Sequence, residues 1–269
     1  MIPIRGRRQE VPAALLALSC AYSQILSYNL LGKEAQLIEI RRAQQGDLPY
    51  LVNIEHYSYG AMGASHETLH RRIEVLNKEA PGWFWVAAWH DKVVASIILQ
   101  PTLLTPDECT SWEVATDSGT LQRTFSPEGL NVYGVSLGRC KTTPPGANDL
   151  LIHQGLAVTV GAGKTSFTLS SRMPGYQSYC TRHPNTTPDR YWQLTRADGT
   201  PRDPTLRNFT RSFGHPPARL LPHGYISDEA SGGHAVQFVI ADFTTALCAA
   251  AQRIYRAGCL ASPREEEQA

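Results

Sequence analysis

The stretch VGAGKTS, from Val160 to Ser166, has residue types that could bind the phosphates of a nucleotide. A loop that wraps ATP phosphates has the pattern G-x-x-x-x-G-K-[ST], and its backbone N–H groups surround the phosphates. Counting back from Gly163 places Val158 where the first glycine of this pattern should be. Because the β-carbon of Val158 fills space that the loop needs, the sequence argues against a nucleotide-hydrolysing enzyme.

Six cysteines could carry metal or disulfide chemistry, but their spacing does not favour either. They lie far apart in the chain, with no CxxC pair, at Cys20, Cys109, Cys140, Cys180, Cys248 and Cys259. A structural zinc site or a disulfide framework usually shows clustered cysteines. We therefore expect free thiols in a reducing compartment, a cytoplasmic protein and no bound metal.

Composition and charge favour an ordinary globular enzyme or binding protein. The chain has 269 residues, of which 42% are hydrophobic and 18% are charged, and its formal net charge is +1. A chain of this length and composition can bury a sizeable core. Both signs of charge are interspersed, so we expect no nucleic-acid partner and no strongly basic partner.

The N-terminal residues 1–35 predict a helical extension packed on the domain. The apolar stretch VPAALLALSCAYSQILSYNLL follows RGRR, but Glu10 and Pro12 interrupt its start and polar residues interrupt its end. The uninterrupted apolar core, residues 13–18, is short for a signal peptide, although a cleaved targeting segment stays open as the alternative. The polar residues argue against a membrane span.

The rest of the chain alternates strand and helix patterns. Residues 36–43 alternate like a strand, Asp47 and Pro49 indicate the start of a helix, and residues 66–79 carry one apolar helical stripe. The sequence then predicts a hairpin at 83–100, a polar insertion at 101–130, strands at 131–140, 165–172 and 234–243, and a helix at 146–163. An irregular segment is expected before the last strand, and a short helix and frayed tail over 246–269.

This order of elements places VGAGKTS between a helix and a strand. Glycine is the usual residue where a helix ends in a left-handed turn. We therefore interpret Gly161 and Gly163 as the end of the helix, and Lys164 and Thr165 as the start of the next strand.

Over about residues 36–245, the order of elements resembles the GNAT acyltransferase superfamily. The resemblance implies a GNAT fold of the α+β or α/β class, with a mixed central sheet flanked by helices. In that superfamily the fourth strand ends in a turn of pattern [QR]-x-x-G-x-[GA], whose N–H groups hold the pyrophosphate of coenzyme A. Unsatisfied N–H groups and the helix dipole explain anion binding at such a turn.

The matching stretch here is KTTPPGA, with Lys141 at the first position, Pro144 at the first glycine and Gly146 at the last position. Pro144 and Pro145 have no N–H group, so two phosphate donors of the family pattern are missing. The residues expected from the resemblance to bind acyl-CoA are Val135, Leu137, Lys141, Gly146, Ala147 and Asn148.

Three further segments resemble one GNAT branch, the GNAT-like decarboxylase domains that start certain polyketide assembly lines and related stand-alone GNAT proteins. They are NVYGVSL (131–137), LSSRMPGYQSY (169–179) and the stretch from RDPTLRNF to HAVQFVI (202–240). The branch resemblance implies decarboxylation of malonyl-CoA or a methylated relative. Transfer of the acyl group to an acyl-carrier protein is the further step that it implies.

Loss of CO₂ from a malonyl thioester leaves an enolate, which needs hydrogen-bond donors at the thioester oxygen and an acid for the carbanion. For these roles we expect the catalytic residues Tyr176, Ser136, Thr143 and His183, with Arg172 binding the substrate carboxylate. Tyr176 as a packed turn aromatic and Arg172 paired with an internal carboxylate stay open as alternatives.

Decarboxylases of this branch use a histidine and a threonine, and the histidine often follows the PGY tripeptide. Gln177 stands at that position and cannot act as a general acid near neutral pH. Two other functions therefore stay open. One is N-acetylation of a small amine by acetyl-CoA. Glu55 and Glu74 lie in the region that shapes the acceptor site in many GNATs, but we expect them to be ordinary surface carboxylates. The other is a catalytically weak GNAT scaffold that binds an acyl group or a protein.

Overall fold

The computed structural model describes residues 38–259, so the extension predicted for residues 1–35 lies outside the described part of the chain. The strands are β1 (Glu39–Arg42), β2 (Phe84–Trp89), β3 (Lys92–Thr102), β4 (Asn131–Arg139), β5 (Ser166–Arg172), β6 (Arg219–Leu221) and β7 (Ala235–Ile240). They form one seven-stranded sheet in the order β1-β2-β3-β4-β5-β7-β6. Every neighbouring pair is antiparallel except β4 and β5, which are parallel. The predicted mixed sheet is confirmed.

Helices flank this sheet. They are α1 (Leu48–Tyr59), α2 (His66–Leu76), α3 (Trp112–Thr116), α4 (Ala147–Gly161), α5 (Tyr176–Arg182), α6 (Pro188–Trp192), α7 (Pro204–Phe213) and α8 (Phe243–Cys259). Short 3-10 turns lie at Gln45–Asp47, Gly60–Met62 and Glu229–Ser231. None of the described helices is long and apolar enough to cross a membrane.

The predicted hairpin joins β2 and β3 through a two-residue turn. His90 and Asp91 have φ of 50° and 57°, the left-handed values that a tight hairpin of right-twisted strands requires. Beyond Lys92 every residue of β3 is buried, because helices and neighbouring strands cover both of its faces. Its apolar run is therefore continuous rather than alternating.

The first two helices begin as the sequence predicts, with one difference. Pro49 lies in the first turn of α1, but the Asp47 side chain does not cap α1. Its carboxylate instead accepts hydrogen bonds from the Gln44 N–H, at 2.8 Å, and from Arg41, at 2.7 and 2.8 Å. In α2 the Ser65 hydroxyl accepts from the Thr68 N–H, and the predicted apolar stripe is buried.

The segment 101–130 is less peripheral than a polar insertion should be. It contains α3, and it places Cys109, Ala115 and Leu121 in the hydrophobic core. Trp112 donates a hydrogen bond from Nε1 to the carbonyl of Val135 in β4, at 2.9 Å. The expectation of a segment outside the core is wrong for these residues.

The stretch between β5 and β7 is helical rather than irregular, since it contains α5, α6 and α7. Thr187 and Asp203 cap α6 and α7, and a proline follows each cap. The expectation of an irregular segment is therefore wrong. A capping residue followed by proline is a local pattern typical of a helix start, and it was present in the sequence. The C-terminal helix begins at Phe243, and Phe243, Leu247 and Ile254 join the main core. It packs as part of the same domain.

Candidate active site

A cleft opens where β4 and β5 separate. The two strands pair only from Asn131 and Ser166 to Gly134 and Leu169. In the pairing of β3 with β4, Ile98 faces Ser136 and Leu99 faces Gly134, so Val135 forms a bulge. A bulge bends a strand and redirects its side chains. Beyond the bulge the strands diverge and leave a cleft of about 1510 Å³.

Elements distant in sequence line this cleft. They include α1, β4, β5, the start of α4, and the helices α7 and α8. Of the residues expected at the site, the cleft is lined by Val135, Ser136, Leu137, Thr143, Gly146, Asn148 and Arg172. Lys141, Ala147, Tyr176 and His183 do not line it. The roles that the sequence assigns to all these residues stay predictions.

Ser136 connects the cleft to a buried carboxyl group. It donates a hydrogen bond from Oγ to Oε1 of Glu55 in α1, at 3.1 Å. Glu55 is only 4% exposed, and burial raises the pKa of its carboxyl, although the Ala64 N–H and the charge of Arg72 oppose the shift. The expectation of an ordinary surface carboxylate at Glu55 is therefore wrong.

The backbone donors expected in β4 are partly occupied. The N–H of Leu137 donates to the hydroxyl of Tyr59, at 3.0 Å, and that hydroxyl donates to the Leu137 carbonyl, at 3.0 Å. Tyr59 itself lines the cleft, and burial raises the pKa of its hydroxyl above the usual value. The N–H and the carbonyl of Leu137 are thus both bonded to Tyr59, and the hydroxyl groups of Tyr59 and Ser136 lie at this part of the cleft.

The turn that precedes α4 is rigid and close to α8. The Thr143 hydroxyl donates to the Val94 carbonyl, at 2.6 Å, and accepts from the Cys140 N–H, at 3.1 Å, so it holds the turn itself. Gly146 has φ of 85°, and a β-carbon placed on it would lie 3.2 Å from Cβ of Ala257 in α8. The last turns of α8 thus lie against the start of α4.

Polar and positive groups gather around this turn. The Oδ1 atom of Asn148 is buried and accepts no hydrogen bond from the described residues. Asp149 accepts from Arg253, at 2.5 Å, and from Ser212, at 2.9 Å. Two further cations, Arg139 and Arg256, line the cleft and have no side-chain partner within residues 38–259. Their guanidinium groups can donate hydrogen bonds to an anion in place of the N–H groups that Pro144 and Pro145 lack.

Arg172 is held in a two-pronged ion pair. Its Nε and Nη2 atoms each lie 2.7 Å from a carboxylate oxygen of Asp228. The hydrogen bond to Asp228 raises the pKa of Arg172. Burial opposes ionisation of Asp228, but hydrogen bonds from Arg172 and Ser231 lower its pKa below the usual value. The internal pair is thus what the structure shows, while Arg172 still borders the cleft.

Tyr176 and His183 lie away from the cleft. The Tyr176 hydroxyl donates to the Thr186 carbonyl, at 3.2 Å, and burial raises its pKa to about 12. The ring of Tyr176 packs 5.3 Å from the ring of Tyr191, as the turn-aromatic alternative expects. His183 is exposed at the end of α5, with its ring 4.3 Å from that of Tyr179. Their positions give no route to a ligand in the cleft.

Hydroxyl, amide and guanidinium groups dominate the polar lining of the cleft. Within residues 38–259 its lining contains no histidine, and its single carboxylate, Asp149, is paired with Arg253. No cluster of the described residues could hold a metal ion. Proton transfer to a ligand in this cleft therefore depends on the hydroxyl groups that line it and on the buried groups that are hydrogen-bonded to those hydroxyls.

Sequence reasoning missed two features of the cleft that had local signals. Glu55 lies four positions after Leu51 in α1. It belongs to the buried face of the helix, together with Leu48 and Ile54. A carboxylate on an apolar helical stripe indicates a buried acid. Helix α7, which supplies Asn208 and Phe209, had the Asp-Pro start described above.

Comparison with known proteins agrees with this fold. No family model and no curated protein matches the sequence. Among solved structures, the chain is similar to the loading GNATL domain of CurA from Lyngbya majuscula, at 19% identity and a TM-score of 0.65, over 77% of this chain and 98% of that one. It is also similar to the GphF GNAT-like decarboxylase in complex with isobutyryl-CoA, at 21% identity and a TM-score of 0.62, over 76% of this chain and 98% of that one. The described chain therefore has the GNAT fold, and within that fold it is similar to GNAT-like loading and decarboxylase domains.

Proposed function

We propose that this protein is an enzyme that binds an acyl-CoA in the cleft between β4 and β5 and acts on its thioester. The observation that carries the proposal is the cleft itself. It joins a hydroxyl-lined corner at Ser136 to a region where Arg139 and Arg256 have no side-chain partner among the described residues. The similar GphF structure, with isobutyryl-CoA bound, supports an acyl-CoA as the ligand class.

The phosphates of coenzyme A would be held differently from the family pattern. Because Pro144 and Pro145 offer no N–H groups, part of the binding must come from the guanidinium groups of Arg139 and Arg256. Arginine binds phosphate through two parallel hydrogen bonds, so it is a suitable substitute.

Decarboxylation of a malonyl-type thioester is the reaction that the corner at Ser136 supports best. The reaction needs hydrogen-bond donors for an enolate oxygen and one proton for its carbon, but no strong base. The cleft offers the hydroxyls of Ser136 and Tyr59 and no histidine within the described residues. Transfer of the acyl group to an acyl-carrier protein is the further step that we propose to test.

Amine acetylation by acetyl-CoA is the second candidate, and the position of Glu55 favours it over the scaffold reading. That reaction needs a base for an ammonium group. The only carboxylate that lines the cleft within residues 38–259 is paired with Arg253, which leaves Glu55, reached through Ser136, as the base. The two reactions therefore require opposite protonation states of the same group.

The test is to incubate the purified protein with malonyl-CoA, methylmalonyl-CoA or acetyl-CoA, each with and without a carrier protein or a panel of small amines, and to follow products by mass spectrometry. Conversion of malonyl-CoA to acetyl-CoA is the expected result. Acetylated amine without CO₂ loss would establish the second candidate instead. If all thioesters return unchanged and coenzyme A is not retained, the enzyme proposal is wrong and the scaffold reading stands.

A further inference from the structure

Glu55 is a buried acid that has no role in the decarboxylation described above. Its Oε1 atom accepts from the Ser136 hydroxyl, at 3.1 Å, and its Oε2 atom accepts from the Ala64 N–H, at 3.0 Å. The loop around Gly63 packs tightly on it, since a β-carbon at Gly63 would lie 2.8 Å from the Glu55 carbonyl oxygen. An acid held so firmly, with one oxygen directed at a cleft residue, has the geometry of a proton-transfer group.

The charged neighbours of Glu55 do not neutralise it by direct contact. Arg72 of α2 is also buried, but its guanidinium donates to the carbonyl of Gly119, at 3.1 and 2.7 Å. Tyr59 of α1 is the other titratable group nearby; its hydroxyl is bonded to Leu137, and the charge of Glu55 raises the pKa of that hydroxyl. Burial opposes the Glu55 carboxylate, whereas Arg72 favours it from a distance. Glu55 can therefore hold a proton without losing a direct ion pair.

We propose that Glu55 stores the proton of the reaction and delivers it to the cleft through the hydroxyl of Ser136. This inference rests on the proposed thioester function and names the acid that it lacks. Ser136 borders the cleft and is the residue that joins it to Glu55 by a hydrogen bond. Ser136 is thus the catalytic residue, and Glu55 acts through it.

The step balances as follows for a malonyl thioester. The bond between the carboxylate carbon and Cα breaks, CO₂ leaves, and the electron pair forms an enolate. When Glu55 is protonated, its carboxyl donates to Ser136 Oγ across the same 3.1 Å contact, and the Ser136 hydroxyl can turn to the cleft. The enolate carbon takes the proton of the Ser136 hydroxyl, and Ser136 Oγ takes the proton of the Glu55 carboxyl at the same time. Glu55 is left as a carboxylate, and water returns its proton after the product leaves. One proton is consumed and one CO₂ is released in each turnover.

The first test compares Glu55→Gln, Ser136→Ala and the double variant with the matched control Glu74→Gln. Glu74 lies on α2 with a side chain 60% exposed, so the control makes the same chemical change outside the cleft. We expect kcat to fall at least tenfold in each single variant, about 1.4 kcal/mol of barrier, with KM changed less than threefold. The double variant should lose little more than either single variant, because the two groups act as one unit.

The pH dependence of kcat separates this role from a structural one. Since Glu55 must be protonated to act as the acid, wild-type kcat should fall as pH rises through its pKa. That limb should be absent in Glu55→Gln and kept in Glu74→Gln. A limb of the opposite sign would overturn the acid role and favour amine acetylation. If the kcat of Glu55→Gln lay within twofold of the kcat of the Glu74→Gln control, the inference would be overturned.

A measurement without substrate keeps the inference separate from the proposed function. In protein labelled with ¹³C at glutamate carboxyls, the resonance absent from Glu55→Gln should titrate at a pH above the usual range of a glutamate side chain. Ser136→Ala should raise the Glu55 pKa further, because the Ser136 hydrogen bond stabilises the carboxylate. A resonance that titrates in the usual range of glutamate and does not respond to Ser136→Ala would overturn the link. An inactive wild-type protein with the expected titration would instead overturn the proposed reaction alone.

Discussion

The pair of Arg172 and Asp228 shows how one residue can hold two segments together beside the cleft. Asp228 is 1% exposed, and its carboxylate also accepts from the Ser231 hydroxyl, at 2.5 Å. Ser231 in turn accepts from the Met173 N–H, at 2.8 Å. The network ties the end of β5 to the 3-10 turn at Glu229–Ser231. Its loss would leave the largely buried guanidinium of Arg172 without a carboxylate partner.

We predict that Asp228→Asn lowers the free energy of unfolding at neutral pH by roughly 3 kcal/mol, the usual result of removing one partner of a buried pair. The lowered pKa of Asp228 stabilises the fold above the pKa of an unfolded aspartate, and this contribution is lost as pH falls through the folded-state pKa. The difference from wild type should therefore shrink in acid. Urea unfolding at neutral and acid pH measures it.

The control for this prediction is Asp198→Asn. Asp198 forms an exposed ion pair with Arg211, in which the two side chains are 50% and 48% exposed. Surface pairs contribute little to stability, so this variant should unfold like wild type at both pH values. Equal losses for the two variants would contradict the role of burial in the Asp228 pair.

Among the elements, α4 and the turn before it depend on one glycine. Gly146 is the N-terminal cap residue of α4, in a left-handed conformation with φ of 85°. Residues with a β-carbon are strained there, and Ala257 of α8 leaves little room for one. The position of α8 against α4 thus relies on the absence of a side chain at Gly146.

Gly146→Ala should destabilise the protein by about 1–2 kcal/mol, because the left-handed conformation is unfavourable for alanine. The matched control is Gly161→Ala, at the other end of the same helix. A β-carbon at Gly161 has no neighbour within 4 Å, so this change should be neutral or slightly stabilising. Thermal unfolding monitored by circular dichroism compares the two. A higher melting temperature for Gly146→Ala than for wild type would contradict the strain.

For the whole molecule, the cleft depends on pieces that are far apart in the chain. Ser136 comes from β4, Asn208 from α7 and Arg256 from α8. The ion pair of Arg253 with Asp149 and the hydrogen bond from Arg253 to Asn208, at 3.0 Å, join α8 to α4 and α7. The C-terminal helix therefore forms a wall of the cleft.

If this wall binds phosphate as proposed, Arg256→Glu should weaken the binding of coenzyme A at least tenfold and reduce its salt dependence. The physical reason is that a free guanidinium facing anions is replaced by a carboxylate. Isothermal titration calorimetry with coenzyme A at two salt concentrations measures both effects. Arg182→Glu, an exposed arginine of α5 outside the cleft, is the control with the same charge change. Equal affinity of the two variants would remove Arg256 from the binding surface.

The sequence by itself determined the elements that have strong local patterns. The hairpin at His90 and Asp91, the helix that ends at Gly161 and the strands β4 and β5 follow from apolar period and turn chemistry. The order of these elements resembles the GNAT superfamily, and that resemblance implied the GNAT fold. The helices α5 to α7 were missed because short helices have little periodicity, although the caps of α6 and α7 were visible in the sequence.

Only the tertiary structure decided which side chains share the cleft. Tyr176 and Ser136 are equally plausible as sequence positions, but strand divergence brings Ser136 to the cleft, and packing against Tyr191 places Tyr176 away from it. The burial of Glu55 and the pairing of Arg172 with Asp228 likewise depend on contacts between segments distant in sequence. Local propensity is set by neighbours along the chain, whereas burial, charge pairing and pKa are set by neighbours in space.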